Sequence, residues 1–179
     1  MHATICDVLA DTVQNSIEAG ATLVKVNVDE RAGKIAVEIV DNGKGMDEGI
    51  LKRAFDPFYT EPGKHDARKV GLGLPILKQI CDACGGSVTL ESTLGVGTTL
   101  KYAFDAQSID LPPWGDLPQT VVMLMNYPGN FELVFTHAKD AGEYSISRNE
   151  LGDAIGGFDT IEGLALATEF MRSSEESIK

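Results

Sequence analysis

Three groups of residues have the types and spacing for chemistry. The first is Asp41-Asn-Gly-Lys-Gly-Met46, which closes the alternating run from Lys34 to Val40. Ile35, Val37, Ile39 and Asp41 share parity, so a carboxylate falls on the same sheet face as three apolar side chains. An acid on a buried face requires a partner. Gly43 and Gly45, lacking Cβ atoms, let the backbone turn sharply and lie close against a flat ligand. The bland alternative is a solvated Asp-Asn-Gly turn. The second group is Asp11, Asn15 and Glu18, at i, i+4 and i+7, one polar stripe beside an apolar face of Ile5, Val8, Leu9, Val13 and Ile17. Alone, such a stripe reads as a solvated helix face. The third joins Lys64, His65, Arg68 and Lys69 to Gly71-Leu-Gly73. Glycines at a helix entrance expose N–H groups and the positive dipole end, which suits an anion such as phosphate.

The elements that must position these groups follow from periodicity. Residues 3–19 read as a helix that Gly20 ends, and residues 22–29 alternate as a half-buried strand. Glu30-Arg-Ala-Gly33 turns the chain into the strand that ends at Asp41. Asp47 caps a short helix to Ala54, and Phe55-Asp-Pro-Phe-Tyr-Thr-Glu-Pro62 is a loop anchored by aromatics. A helix enters at Gly73-Leu-Pro75, with proline tolerated in the first turn. Residues 87–91 and 98–104 are two further strands joined by Leu94-Gly-Val-Gly97.

Composition bounds the rest. At 179 residues, 43% hydrophobic and 23% charged, the chain reads as one soluble globular domain with a small appendage. A net charge of -12 argues against nucleic acid and anionic membranes as partners. No run approaches the roughly 18 apolar residues of a membrane span, no cationic leader opens the sequence, and a cytoplasmic location is expected. Cys81 and Cys84 form a CxxC, but inside an apolar helical run and without the two further ligands zinc requires, so burial is the expected role. Residues 106–118, with Pro112, Pro113, Gly115 and Pro118, read as a linker. Residues 119–179 read as a ββ(β)αα appendage: a hairpin of strands 120–126 and 131–138 around Pro128-Gly-Asn130, a third strand at 143–147, and helices capped by Ser147 with Glu150 and by Asp159 with Glu162. Such an appendage is either a packed cap or a docking module for a partner.

In this order, DTVQNSIEAGA, DNGKGM, FDPFYTEP, VGLGLP and GVGTT, the sequence resembles the ATP-binding domain shared by sensor histidine kinases, type II topoisomerases, mismatch-repair ATPases and the large heat-shock chaperones, the GHKL or Bergerat superfamily. The resemblance spans residues 3–105, with the domain placed at 1–105, and is nearest the histidine-kinase branch. It implies an α/β fold, a two-layer sandwich with a mixed sheet, holding the nucleotide between the helices and a mobile lid at residues 59–70. Asp41 would accept a hydrogen bond from the adenine amino group, which guanine cannot offer at that position, and Thr98 would assist through water. Asn15 would ligate the magnesium that arrives with the triphosphate. Gly43, Gly45, Met46, Phe58, Leu72 and Leu74 would lie against the nucleotide, Gly71 and Gly73 would present N–H groups to phosphates, and Lys64, Arg68 and Lys69 would reach from the lid. Asp11 stands where hydrolysing members carry a glutamate base, and is one methylene shorter. Histidine kinases carry a helical hairpin with the phosphoacceptor histidine before this domain. Here the first-box helix starts almost at Met1, and His2, His65 and His137 lie in no acceptor-like motif. The expectation is a magnesium-dependent ATP-binding protein acting as a protein kinase or kinase-like regulator on a partner protein in trans. The alternatives are a slow ATPase working as a conformational switch and a non-catalytic ATP/ADP sensor.

Overall fold

The computed structural model describes residues 4–58 and 73–178. Helix α1, Ile5–Glu18, begins at a capping box: Thr4 N–H donates to Asp7 Oδ2 (3.0 Å) and Asp7 N–H to Thr4 Oγ1 (3.1 Å). Its next two N–H groups, on Ile5 and Cys6, are met by the carbonyls of Pro113 and Trp114, each at 2.9 Å. The proline-rich stretch expected as a linker is thus pinned to the start of α1. Ile5, Val8, Leu9, Val13 and Ile17 are all buried, as their spacing dictates.

Strands β1 (Leu23–Glu30) and β2 (Lys34–Asp41) pair antiparallel, and the short helix α2 (Glu48–Arg53) follows with Asp47 as its cap. Helix α3 (Gly73–Ala83), β3 (Ser87–Thr93) and β4 (Gly97–Asp105) complete the expected series. Val24, Val26 and Val28 of β1 and Ile35, Val37 and Ile39 of β2 face the helices and are buried, while Lys25, Asn27 and Lys101 are exposed on the opposite face.

The C-terminal third departs from expectation. Residues 120–126 are not a strand: Leu117–Met125 form helix α4, whose N-cap Asp116 accepts from Gln119 N–H at 3.0 Å, with Pro118 in the first turn. A short apolar run does not distinguish strand from buried helix, and here the Asp-Leu-Pro start and the buried face of Leu117, Val121, Val122 and Met125 decide for helix. Residues 131–138, expected to pair with that run, form β5 (Glu132–Lys139) and pair instead with β6 (Gly142–Ser147) and, in parallel, with β1. Helix α5 (Arg148–Ile155) is capped by Ser147 as expected. Helix α6 (Ile161–Ser177) is capped by Thr160, whose Oγ1 accepts from Gly163 N–H at 2.9 Å, rather than by Asp159.

The result is one mixed six-stranded sheet in the order β3-β4-β2-β1-β5-β6, antiparallel except at β1 and β5. The segment expected as an appendage therefore supplies two strands to the same sheet, and Val121, Met125, Phe135 and Met171 share one core with Leu9, Val26 and Phe104. A polar cluster ties the seam. His137, buried on β5, has Nε2 3.0 Å from Glu30 Oε1 and Nδ1 2.7 Å from Glu175 Oε1. Trp114 Nε1 donates to the other Glu30 oxygen at 3.2 Å, and the Tyr144 hydroxyl donates to Glu175.

Candidate nucleotide-binding cleft

Asp41 ends β2 on the helix-facing side of the sheet and is 8% exposed. The partner its burial demands is Ser16 on α1, whose Oγ donates to Asp41 Oδ2 at 2.7 Å, while Gly43 N–H donates to Oδ1 at 2.8 Å. An ionised carboxylate offers about four lone-pair directions, so acceptor capacity remains toward the cleft in front of it. That cleft, of about 80 Å³, is lined by Thr12, Asn15 and Ser16 of α1, Asp41 of β2, and Met46, Leu74, Leu90, Thr98 and Leu100. Met46, Leu74, Leu90 and Leu100 give it an apolar side, and its carboxylate is held by two donors. A hydrogen-bond donor entering this cleft would meet that free acceptor.

The loop Asn42 to Met46 is fixed from several sides. Asn42 Oδ1 accepts from the N–H groups of Thr22 and Leu23, both at 2.9 Å, so this side chain clamps the loop to the start of β1. Gly45 has φ +63°, and a Cβ there would stand 2.1 Å from the Thr93 carbonyl oxygen. Met46 N–H donates to Ser92 Oγ (2.9 Å), and Ser92 Oγ lies 2.8 Å from Thr98 Oγ1 and donates to the Gly97 carbonyl (3.0 Å). With its own proton on Gly97, Ser92 accepts from Thr98, whose lone pairs are then available as acceptors. Thr98 is directly across from Asp41 in the β2–β4 pairing.

Beside the cleft, around Asp11 and Asn15, α1 meets the entrance of α3. A Cβ on Gly73 would stand 1.8 Å from Asp11 Oδ2 and 3.8 Å from Asn15 Nδ2. A side chain here would have to displace the Asp11 carboxylate, so glycine leaves room where α3 starts beside an acid and an amide. Asn15 and Asp11 sit one helical turn apart, with Asn15 exposed and Asp11 half-buried.

Of the residues singled out from the sequence, Asn15, Asp41, Met46, Leu74 and Thr98 line the cleft, Gly43 and Gly45 shape its loop, and Asp11 and Gly73 adjoin it. Phe58 is not brought in: it is 95% exposed. Lys64, Arg68, Lys69, Gly71 and Leu72, with His2, His65 and the lid at 59–70, lie outside the described residues. Sequence reading missed Ser16, Thr12 and Ser92. The available signal was Thr12 and Ser16 at i, i+4 between apolar neighbours, a hydroxyl pair on the buried side of α1. Cys81 and Cys84 are free and buried in α3 and the turn after it. Burial pushes the Cys81 thiol up to about 12 and raises Cys84 too, which suits packing and not reactivity.

Residues 2–108 match the family model for the histidine kinase-, DNA gyrase B-, and HSP90-like ATPase. The chain belongs to this ATPase family. Similar relatives include the sensor histidine kinase YxdK of Bacillus subtilis, 30% identical over 100 residues covering 54% of this chain and 31% of that protein. The sensor protein RprX of Bacteroides fragilis is 34% identical over 107 residues, 58% of this chain and 21% of that one. The C4-dicarboxylate transport sensor protein DctB of Rhizobium meliloti is 38% identical over 91 residues, 48% and 14% respectively. The chain thus matches less than a third of the length of each of these relatives. Among solved structures, the catalytic domain of histidine kinase ThkA is 28% identical with a TM-score of 0.44, covering 55% of this chain and 64% of that one. An N-terminal domain of a DNA repair protein, 14% identical with a TM-score of 0.56, covers 90% of this chain and 58% of that one, a likeness of fold that takes in the C-terminal strands and helices as well. Among the described residues no helix is long and apolar enough to cross a membrane.

Proposed function

We propose that this ATPase-family chain binds magnesium-ATP in the cleft and delivers the γ-phosphoryl group to a partner protein, as a protein kinase or kinase-like regulator. The observation that carries the reading is the buried Asp41 carboxylate, held by Ser16 and Gly43 at the end of an apolar cleft with acceptor capacity to spare. Adenine satisfies it through the exocyclic amino group; guanine would set a carbonyl oxygen against a carboxylate. Thr98, opposite Asp41, accepts through water at the same ring edge. The phosphates extend toward the start of α3, where Gly73 leaves room beside Asp11 and Asn15. The donor set there suits magnesium, a hard cation that takes one or two protein oxygens beside phosphate oxygens and water, and Asn15 would hold it. Bound, the ion would neutralise charge on the phosphoryl oxygens during transfer.

Three of the named relatives are sensor proteins or sensor histidine kinases, which supports transfer to a protein. His137, the histidine among the described residues, is buried with both ring nitrogens against carboxylates, a poor acceptor and a good structural cation. The poor fit of His137 as an acceptor supports a partner polypeptide as the acceptor's carrier. A second reading, slow hydrolysis that drives a conformational switch, draws on Asp11, whose carboxylate beside Gly73 could orient a water. Incubating the chain with γ-labelled ATP, alone and with a candidate partner, separates these. Acid-labile label on the partner supports the kinase reading, release of labelled phosphate supports the switch, and binding with neither supports a sensor. Absence of ATP binding overturns all three.

A further inference from the structure

A second concavity, of about 500 Å³, lies between α5 and α6 at the free edge of the sheet. Ile146, Leu151, Ala154 and Ile155 form one wall, with the last three at i, i+3 and i+4 of α5, and Leu166 and Phe170, at i and i+4 of α6, form the other. Leu166 and Phe170 are about half exposed, at 51% and 50%, although both are large and apolar. The rim is acidic. Glu150 and Glu169 line it, and neither carboxylate has a partner among the described residues. The two helices also carry Asp153, Glu162 and Glu176 against two arginines, both already engaged. Arg148 donates to the carbonyls of Met125 (2.6 Å) and Phe131 (2.8 Å), and Arg172 is 2.7 Å from Asp116.

We propose that this groove docks an amphipathic helix of a partner protein, one that carries lysine or arginine beside its apolar face. Two helical walls with rows at i, i+3 and i+4 offer the grooves into which the ridges of a third helix pack. Charge selects the partner. A second copy of this chain would bring the same unpaired acids to face themselves, on molecules that each carry -12. An anionic lipid surface is repelled for the same reason. The groove is built from β6, α5 and α6 and shares no lining residue with the nucleotide cleft.

The test uses a fluorescent amphipathic peptide of roughly four helical turns, with leucine and phenylalanine at i, i+4 and i+7 and lysines flanking them, and a companion with glutamate for lysine. The basic peptide is expected to bind saturably, and to weaken by about tenfold between low and high salt. Phe170→Glu, at a half-exposed position, and the surface pair Glu150→Lys with Glu169→Lys are each expected to weaken it by about tenfold or more. Circular dichroism of both variants checks that they remain folded, and the charge-reversed pair stands as the test if Phe170→Glu does not. Equal binding of the acidic peptide, no saturable binding of the basic one, or indifference to the variants overturns the proposal. So does a dimer in sedimentation that Phe170→Glu dissociates, which would make a second copy the occupant.

Discussion

Asp41 has two oxygens and already serves two donors before any ligand arrives: Ser16 on one and the Gly43 amide on the other. Asn in its place keeps one acceptor atom. If the oxygen stays on Gly43 N–H, the amide NH2 takes the place of Oδ2 beside Ser16 and no longer offers an acceptor to an incoming amino donor; if it turns, the buried Gly43 N–H is orphaned. Asp41→Asn is therefore expected to weaken ATP binding by more than about tenfold while the circular dichroism spectrum is kept. Calorimetry that returns the wild-type affinity for a folded variant would remove Asp41 from the site. Asn15 is exposed and lies toward Asp11 and Gly73. Asn15→Ala is expected to lower affinity for magnesium-ATP by roughly tenfold, as second-sphere and ligand losses at metal sites do, and to leave metal-free ADP nearly unchanged. Equal losses with and without magnesium would move Asn15 away from the metal.

At the scale of elements, the cleft depends on how closely two hairpins approach. Gly45 is where the loop after β2 presses on the β3–β4 turn: its φ is +63°, and an added Cβ would stand 2.1 Å from Thr93 O and 2.7 Å from Thr93 C. Both atoms are backbone and neither can swing aside. Gly33, in the β1–β2 turn, has a similar φ of +71° but nothing within 4 Å. Gly33→Ala thus bears only the left-handed backbone cost of about 1 kcal/mol, whereas Gly45→Ala adds a clash and is expected to cost about 3 kcal/mol or more. Urea titration of the two variants side by side checks the difference. Equal midpoints would show that the loop gives way freely.

Across the whole molecule, His137 joins β1 to α6 and makes stability depend on pH. Burial alone would lower its pKa, but hydrogen bonds to Glu175 and Glu30, with their charges, outweigh burial and hold it at about 9 against an ordinary 6.5. Because the folded value is the higher one, the imidazolium's contribution is complete below pH 6.5 and disappears as pH rises through 9. Glu30 and Glu175 shift the other way. Burial works to raise them, yet His137 and their other partners hold both below the ordinary 4.5, so their contribution is present above pH 4.5 and lost as pH falls further. Stability should therefore stand highest between about pH 4.5 and 6.5 and decline by on the order of 3 kcal/mol toward pH 9. His137→Gln is expected to flatten the alkaline limb. An alkaline limb of unchanged slope in that variant would assign the dependence to other groups.

Much of the fold was legible because its signals are local. The i, i+4 apolar face of α1, the alternation of β1 and β2 and the glycine turn before β4 each depend on neighbours within a few residues, and the structure keeps them. The placement of Asn15, Asp41, Met46, Leu74 and Thr98 around one cleft was likewise readable from ordered motifs. What the sequence could not determine alone was whatever depended on a distant partner. Residues 120–126 have no periodicity that separates strand from helix; burial of Val121 and Met125 against the shared core, with Asp116 as the cap, selects helix. Ser16 reads as one more polar residue of α1 until β2 places Asp41 2.7 Å from it. The parallel pairing of β5 with β1, across a long stretch of chain, carries no local mark at all. Only the tertiary structure could show that residues 119–179 extend the sheet, because the hydrogen bonds of a strand edge and the burial of an apolar face are satisfied by whichever distant segment the whole fold brings beside them.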